Sequence, residues 1–134
     1  MTFGRIVIAI MVVLLLMGLL GIEEPRLDDD RSNFSQFALI LQIRAALQML
    51  VAVFIGALIA RGRFIVPAAL LSLILWAFTT VVLYQIAAPA GGANLVATAI
   101  ANLPGLLLHL AASIGGAALG GWFYRREFTG VDPQ

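Results

Sequence analysis

The sequence predicts an all-α integral membrane protein, an antiparallel four-helix transmembrane bundle with a short interfacial or re-entrant helix before the last span. Three observations predict it. Hydrophobic residues make up 62% of the 134 residues and charged residues 11%, against roughly 45–50% and about 25% in soluble globular chains. Mean hydropathy is +1.04. The apolar residues are also gathered into long runs instead of being spread along the chain. A water-soluble domain of this length could not bury so much apolar surface, whereas a lipid-embedded one has no need to. A single domain, residues 1–134, is expected at this length.

A helix needs about 20 mostly apolar residues to cross the hydrocarbon core. Every backbone polar group there must be paired internally, so long apolar runs are read as helices. The first span covers residues 6–22, with Arg5 as its charged flank. A cleaved secretory signal is the rival reading of a short basic start and an apolar core, but no A-x-A-like site follows, so a retained anchor is expected. Residues 23–33 hold most of the acids, Glu23, Glu24, Asp28, Asp29 and Asp30, and Pro25 interrupts any continuing helix.

The second span covers 36–60. Asn33 stands at capping-box spacing from Gln36, and Gly62 suits a left-handed C-terminal cap between Arg61 and Arg63. So short a connection predicts that the second and third spans form an antiparallel hairpin. The third span, 64–86, carries no charge and has Pro67 in its first turn, where a missing N–H costs little. Tyr84 and Gln85 fall where a headgroup belt belongs.

Pro89, Gly91 and Gly92 mark a loop. The stretch from Asn94 to Tyr124 is too long for one untilted span, and Pro104 divides it. Residues 94–103 place Asn94, Thr98 and Asn102 on one helical face and Leu95, Val96, Ala99, Ile100 and Leu103 on the other, a short amphipathic helix that lies at the interface or re-enters. The fourth span is then 104–124. Trp122, Phe123 and Tyr124 form an aromatic belt ahead of Arg125 and Arg126.

Orientation follows from basic residues, which stay cytoplasmic near spans. One side collects Arg5, Arg61, Arg63, Arg125 and Arg126, the other Arg26 and Arg31. Both termini are therefore expected in the cytoplasm and the acidic loop outside, in a bacterial-type inner (plasma) membrane. The asymmetry argues against dual topology, and no internal repeat is evident.

Arg44 is the most informative single residue. It stands about 12 Å inside the second span at 1.5 Å per residue, and an intramembrane charge is a functional-site hypothesis by default. Gln48 follows at i+4, Gln42 is near in sequence, and no span offers a carboxylate partner. The guanidinium has three readings: snorkelling outward to phosphates or to Asp28–Asp30, bonding to carbonyls or amides of another helix or protein, or holding an anionic ligand.

His109, the single histidine, lies in the fourth span with Ser113 one turn on. A proton relay, haem ligation with a second axial residue, a Ser–His dyad and a zinc site are its chemical readings. The plainer reading is a histidine bonded across a packing face that continues as Ala112, Gly116 and Gly120. Arg44, Gln48, Asn102 and His109 all fall in the outer half and together form the candidate ligand pocket.

Gly116-x-x-x-Gly120, and Ala52, Gly56 and Ala60 in the second span, are small-residue series that let helices approach closely, within the chain or between copies. The acidic run at 28–30 lacks EF-hand ligand spacing and reads as a solvated charge run. A net charge of +1 and no cysteine give no reason to expect nucleic acid, disulfides or thiol chemistry. No phosphate-loop, dinucleotide or zinc-protease motif is present. No cofactor, metal or catalytic residue is expected. Two functions are: a non-enzymatic accessory or interaction subunit of a membrane assembly, meeting lipids and a membrane-protein partner or a second copy, or a small oligomeric channel or carrier whose cationic pocket takes an anion or lipid headgroup.

Overall fold

The computed structural model describes residues 2–20, 34–61, 63–90 and 94–128. These residues form five α-helices and a short 3-10 turn: α1 (Thr2–Leu20), α2 (Phe34–Ile59), α3 (Ile65–Ala87), the turn Ala88–Ala90, α4 (Leu95–Ala101) and α5 (Leu103–Phe128). α1, α2, α3 and α5 are each long and apolar enough to cross a membrane. The acidic segment with Pro25, Arg26 and Arg31, the Asn33–Gln36 capping box, Gly62, and Gly91 and Gly92 lie outside the described residues or side chains. The left-handed residue that closes α2 is Arg61, at φ 55°.

Side-chain contacts set the helix directions. Val13 faces Gly56 and the Leu20 carbonyl accepts from Gln48 Nε2 at 2.7 Å, so α1 and α2 run in opposite senses. Gly116 sits on the Leu50 carbonyl and Gly120 on the Phe54 carbonyl, so α2 and α5 run in the same sense. Ser72 meets Ser113 while Trp76 and Thr80 meet Asn102, so α3 and α5 run in opposite senses.

The parallel pair α2 and α5 forms the largest interface. Glycine decides this. A Cβ at Gly116 would stand 2.5 Å from the Leu50 oxygen, and one at Gly120 would stand 2.6 Å from the Phe54 oxygen. Only a residue without a side chain lets the backbones approach so closely. On its other face α2 receives α1, where a Cβ at Gly56 would stand 2.7 Å from Val13 Cγ2. Ala9, Val13, Met49, Ala52, Val53, Ala57, Phe64, Ala68 and Ala117 are buried in this small-residue core. α3 packs chiefly on α5 instead of along α2. The hairpin expected from the short α2–α3 connection is thus opened by α5.

The directions bring Arg5, Arg61, Arg63, Arg125 and Arg126 to one end of the bundle. There Arg126 lies over the Trp122 ring at 5.4 Å and Phe123 meets Phe54 edge-on at 6.1 Å. α4 lies at the opposite end. α1 is staggered: its last turn is level with Gln48, about midway along α2.

Candidate functional site

Asn102 is the pin at the α4 end. It closes α4, its backbone N–H shared between the Thr98 and Ala99 carbonyls, and its own carbonyl opens α5 by accepting from Leu106 N at 3.2 Å. Pro104 follows in the first turn of α5, where its missing N–H leaves no partner wanting. The same Asn102 carbonyl accepts from Trp76 Nε1 at 3.1 Å, and its Nδ2 donates to Thr80 Oγ1 at 3.1 Å. Both bonds tie the start of α5 to α3 short of the end of α3 at Ala87, by about 10 Å at Thr80 and about 16 Å at Trp76, at 1.5 Å per residue. α4 bridges the remaining rise. Asn94 caps it by accepting from Val96 N at 2.9 Å, Thr98 Oγ1 donates to the Asn94 carbonyl, and none of its residues is buried.

Because α3 follows α5 and leaves α2, a cavity of about 220 Å³ remains at this end. Gln42 and Ala45 of α2, Trp76 and Thr79 of α3, and Gly105 and His109 of α5 line it, with Asn102 at its head. The structure therefore brings together two of the four predicted pocket residues, Asn102 and His109. The other two stand elsewhere on α2. Gln48 caps the end of α1 through the Leu20 carbonyl, one of the carbonyls a helix C-terminus leaves unsatisfied. Arg44 is half-buried and already engaged by its surroundings. At 100° per residue, Arg44 lies about 200° around the helix from Gln42, so the two cannot share a face.

One turn beyond the cavity, Ser72 Oγ and Ser113 Oγ are hydrogen-bonded and buried. That bond takes the Ser113 hydroxyl, and no hydrogen bond joins Ser113 to His109, so the Ser–His dyad is not assembled. Gly56, Gly116, Gly120 and Ala52 all have their small faces covered within the chain. No group of His, Asp and Glu that could hold a metal occurs among the described residues. A second, apolar groove of about 280 Å³ runs between α2 and α5, lined by Ile43, Ala46, Leu47, Leu50, Leu108, Ala111 and Ala112.

The sequence reading missed the contribution of α3. Ser72, Trp76, Thr79 and Thr80 recur at i, i+4, i+7 and i+8, which is one helical face. That spacing was the available signal in a segment that otherwise reads as uniformly apolar. Gln42 is near Arg44 in sequence, but the helical angle separates them. Comparison of the chain with protein families, with characterised proteins and with solved structures finds no match.

Proposed function

We propose that the chain is a multi-pass protein of a bacterial-type inner membrane, an alternating four-span bundle with both termini cytoplasmic, acting as a non-enzymatic accessory or interaction subunit of a membrane assembly. The observation that carries this reading is the unequal covering of the helices. Only 11% of the apolar stretch of α1 and 22% of that of α3 is buried, against 39% for α5. Met11 on α1 and Ile74 and Phe78 on α3 are each about two-thirds exposed. The close-packing glycines are covered within the chain, so the partner surface of this reading is the outer face of α1 or α3, not the Gly56 or Gly116–Gly120 stripes. A photo-crosslinking residue at Met11 and at Ile74, activated in native membranes, tests it. A discrete protein adduct at either position is the expected result. Adducts to lipid alone at both would overturn it.

The channel or carrier reading has one observation in its favour, the shared cavity of Asn102 and His109. Arg44 and Gln48 do not line that cavity, which removes the cationic character the reading needs. Under it, His109→Gln, a change within the cavity, would lose a copurifying anion while keeping the fold. An unchanged set of bound species by mass spectrometry would end it.

A further inference from the structure

We propose that the cavity between α2, α3 and α5 binds an uncharged hydrogen-bonding group, a hydroxyl or ester carbonyl, presented by a neutral amphiphile or a small polyol. The argument begins with polar bookkeeping. Among the described residues, no fully buried side-chain nitrogen or oxygen lacks a hydrogen bond. Ser72 pairs with Ser113, Thr80 with the Asn102 amide, and the Trp76 indole with the Asn102 carbonyl. Around the cavity the bookkeeping stays open. Gln42, Thr79 and His109 line it, and no hydrogen bond joins any of the three to another described residue. An amide, a hydroxyl and an imidazole thus converge with donors and acceptors to offer, about 12 Å from the end of α3 at 1.5 Å per residue. In a low-dielectric setting such groups require a polar partner.

The lining also restricts what that partner is. No acid and no arginine is among the residues that line the cavity, so it holds no fixed charge to pair with a charged ligand. The volume, about 220 Å³, falls below the roughly 300–1,000 Å³ of pockets for drug-sized ligands. It corresponds to about seven waters at roughly 30 Å³ each, enough for a glycerol-sized head. Beneath the cavity the Ser72–Ser113 pair joins α3 to α5 and the packed glycines join α2 to α5.

The test uses Trp76, which lines the cavity. In a Trp122→Phe background it is the remaining tryptophan of the two. The full chain, reconstituted in phosphatidylcholine vesicles, is titrated with monododecanoylglycerol, with glycerol and with dodecyl phosphate while Trp76 emission is followed. A saturable response to monododecanoylglycerol or to glycerol is expected, and which of the two binds more tightly identifies an amphiphile or a free polyol as the source. Thr79→Val, an exposed and nearly isosteric change, should weaken that binding by roughly three- to tenfold, and Ala45→Leu should abolish it by filling the space. Three results would overturn the proposal: no saturable response to either neutral probe, tighter binding of dodecyl phosphate, or affinity unchanged in both variants.

Discussion

Gly115 and Gly116 are adjacent, yet a methyl group added at Gly115 meets nothing within 4 Å while one at Gly116 stands 2.5 Å from the Leu50 carbonyl oxygen. The obstacle at Gly116 is backbone, so relief requires the parallel helices α2 and α5 to separate. Gly116→Ala is therefore expected to destabilise the fold by about 1–3 kcal/mol, the usual cost of overpacking. Gly115→Ala should be neutral or stabilising, since glycine within a helix costs roughly 0.5–1 kcal/mol relative to alanine. Reversible unfolding of both variants in mixed micelles decides it, and equal effects would remove the close-approach argument. The glycine spacing was legible in the sequence. Which helix it faces was not, because a small-xxx-small stripe fits a neighbour within the chain as well as a second copy. Arg44 shows the opposite limit. Its depth along α2 was readable, but its separation from the His109 cavity depends on a rotation about the helix axis that the i, i+4 pairing with Gln48 did not reveal.

At the scale of elements, α3 and α5 are joined by a short polar ladder, Ser72 to Ser113 and then Trp76 and Thr80 to Asn102. Hydrogen bonds between transmembrane helices average about 0.6 kcal/mol, with a maximum near 1.7. Ser72→Ala and Ser113→Ala should each cost an amount in that range, because each leaves a buried hydroxyl without its partner. The double change to alanine should cost no more than the larger single change, since the second removal deletes the orphan left by the first. Strictly additive losses in that double-mutant cycle would show that the pair does not act as a pair. Helix existence was legible from hydropathy alone, and the four long helices begin and end within a few residues of the spans expected at 6–22, 36–60, 64–86 and 104–124, the N-terminal start of α1 and the C-terminal end of α5 reaching furthest beyond them. The break between α4 and α5 was also legible, because Pro104 marks it. Neighbour choice was not. A short connection predicts a packed hairpin of α2 and α3, but close packing follows glycine, and the glycines of α5 direct that helix onto α2 and away from any such hairpin.

For the whole molecule, the fold converts a count of arginines into a spatial polarity. Because α1 opposes α2, α2 parallels α5 and α3 opposes α5, five arginines from three separate stretches of sequence meet at one end of the bundle. In a membrane, basic residues close to spans are held on the cytoplasmic side, and the bias acts through charge, not through the identity of any one arginine. A fluorescent reporter that matures only in the cytoplasm should therefore be bright when fused after Gln134, and an accessibility tag placed beside Asp29 should be labelled from outside intact cells. The bias also predicts how orientation fails. Replacing Arg61, Arg63, Arg125 and Arg126 with Gln leaves Arg5 on one side against Arg26 and Arg31 on the other, so the preference should vanish or invert and a share of the Gln134 reporter should become dark. Arg44 is left unchanged in that variant, so the helix interior keeps its own interactions while the end charges are removed. A reporter that stays fully cytoplasmic after all four replacements would mean that something other than the arginine asymmetry, such as the acidic segment 23–33 or a partner, sets the orientation. A wild-type C-terminus found outside together with a cytoplasmic N-terminus would mean that one of the four long helices does not cross, and both termini outside would mean that the arginine bias does not set the orientation.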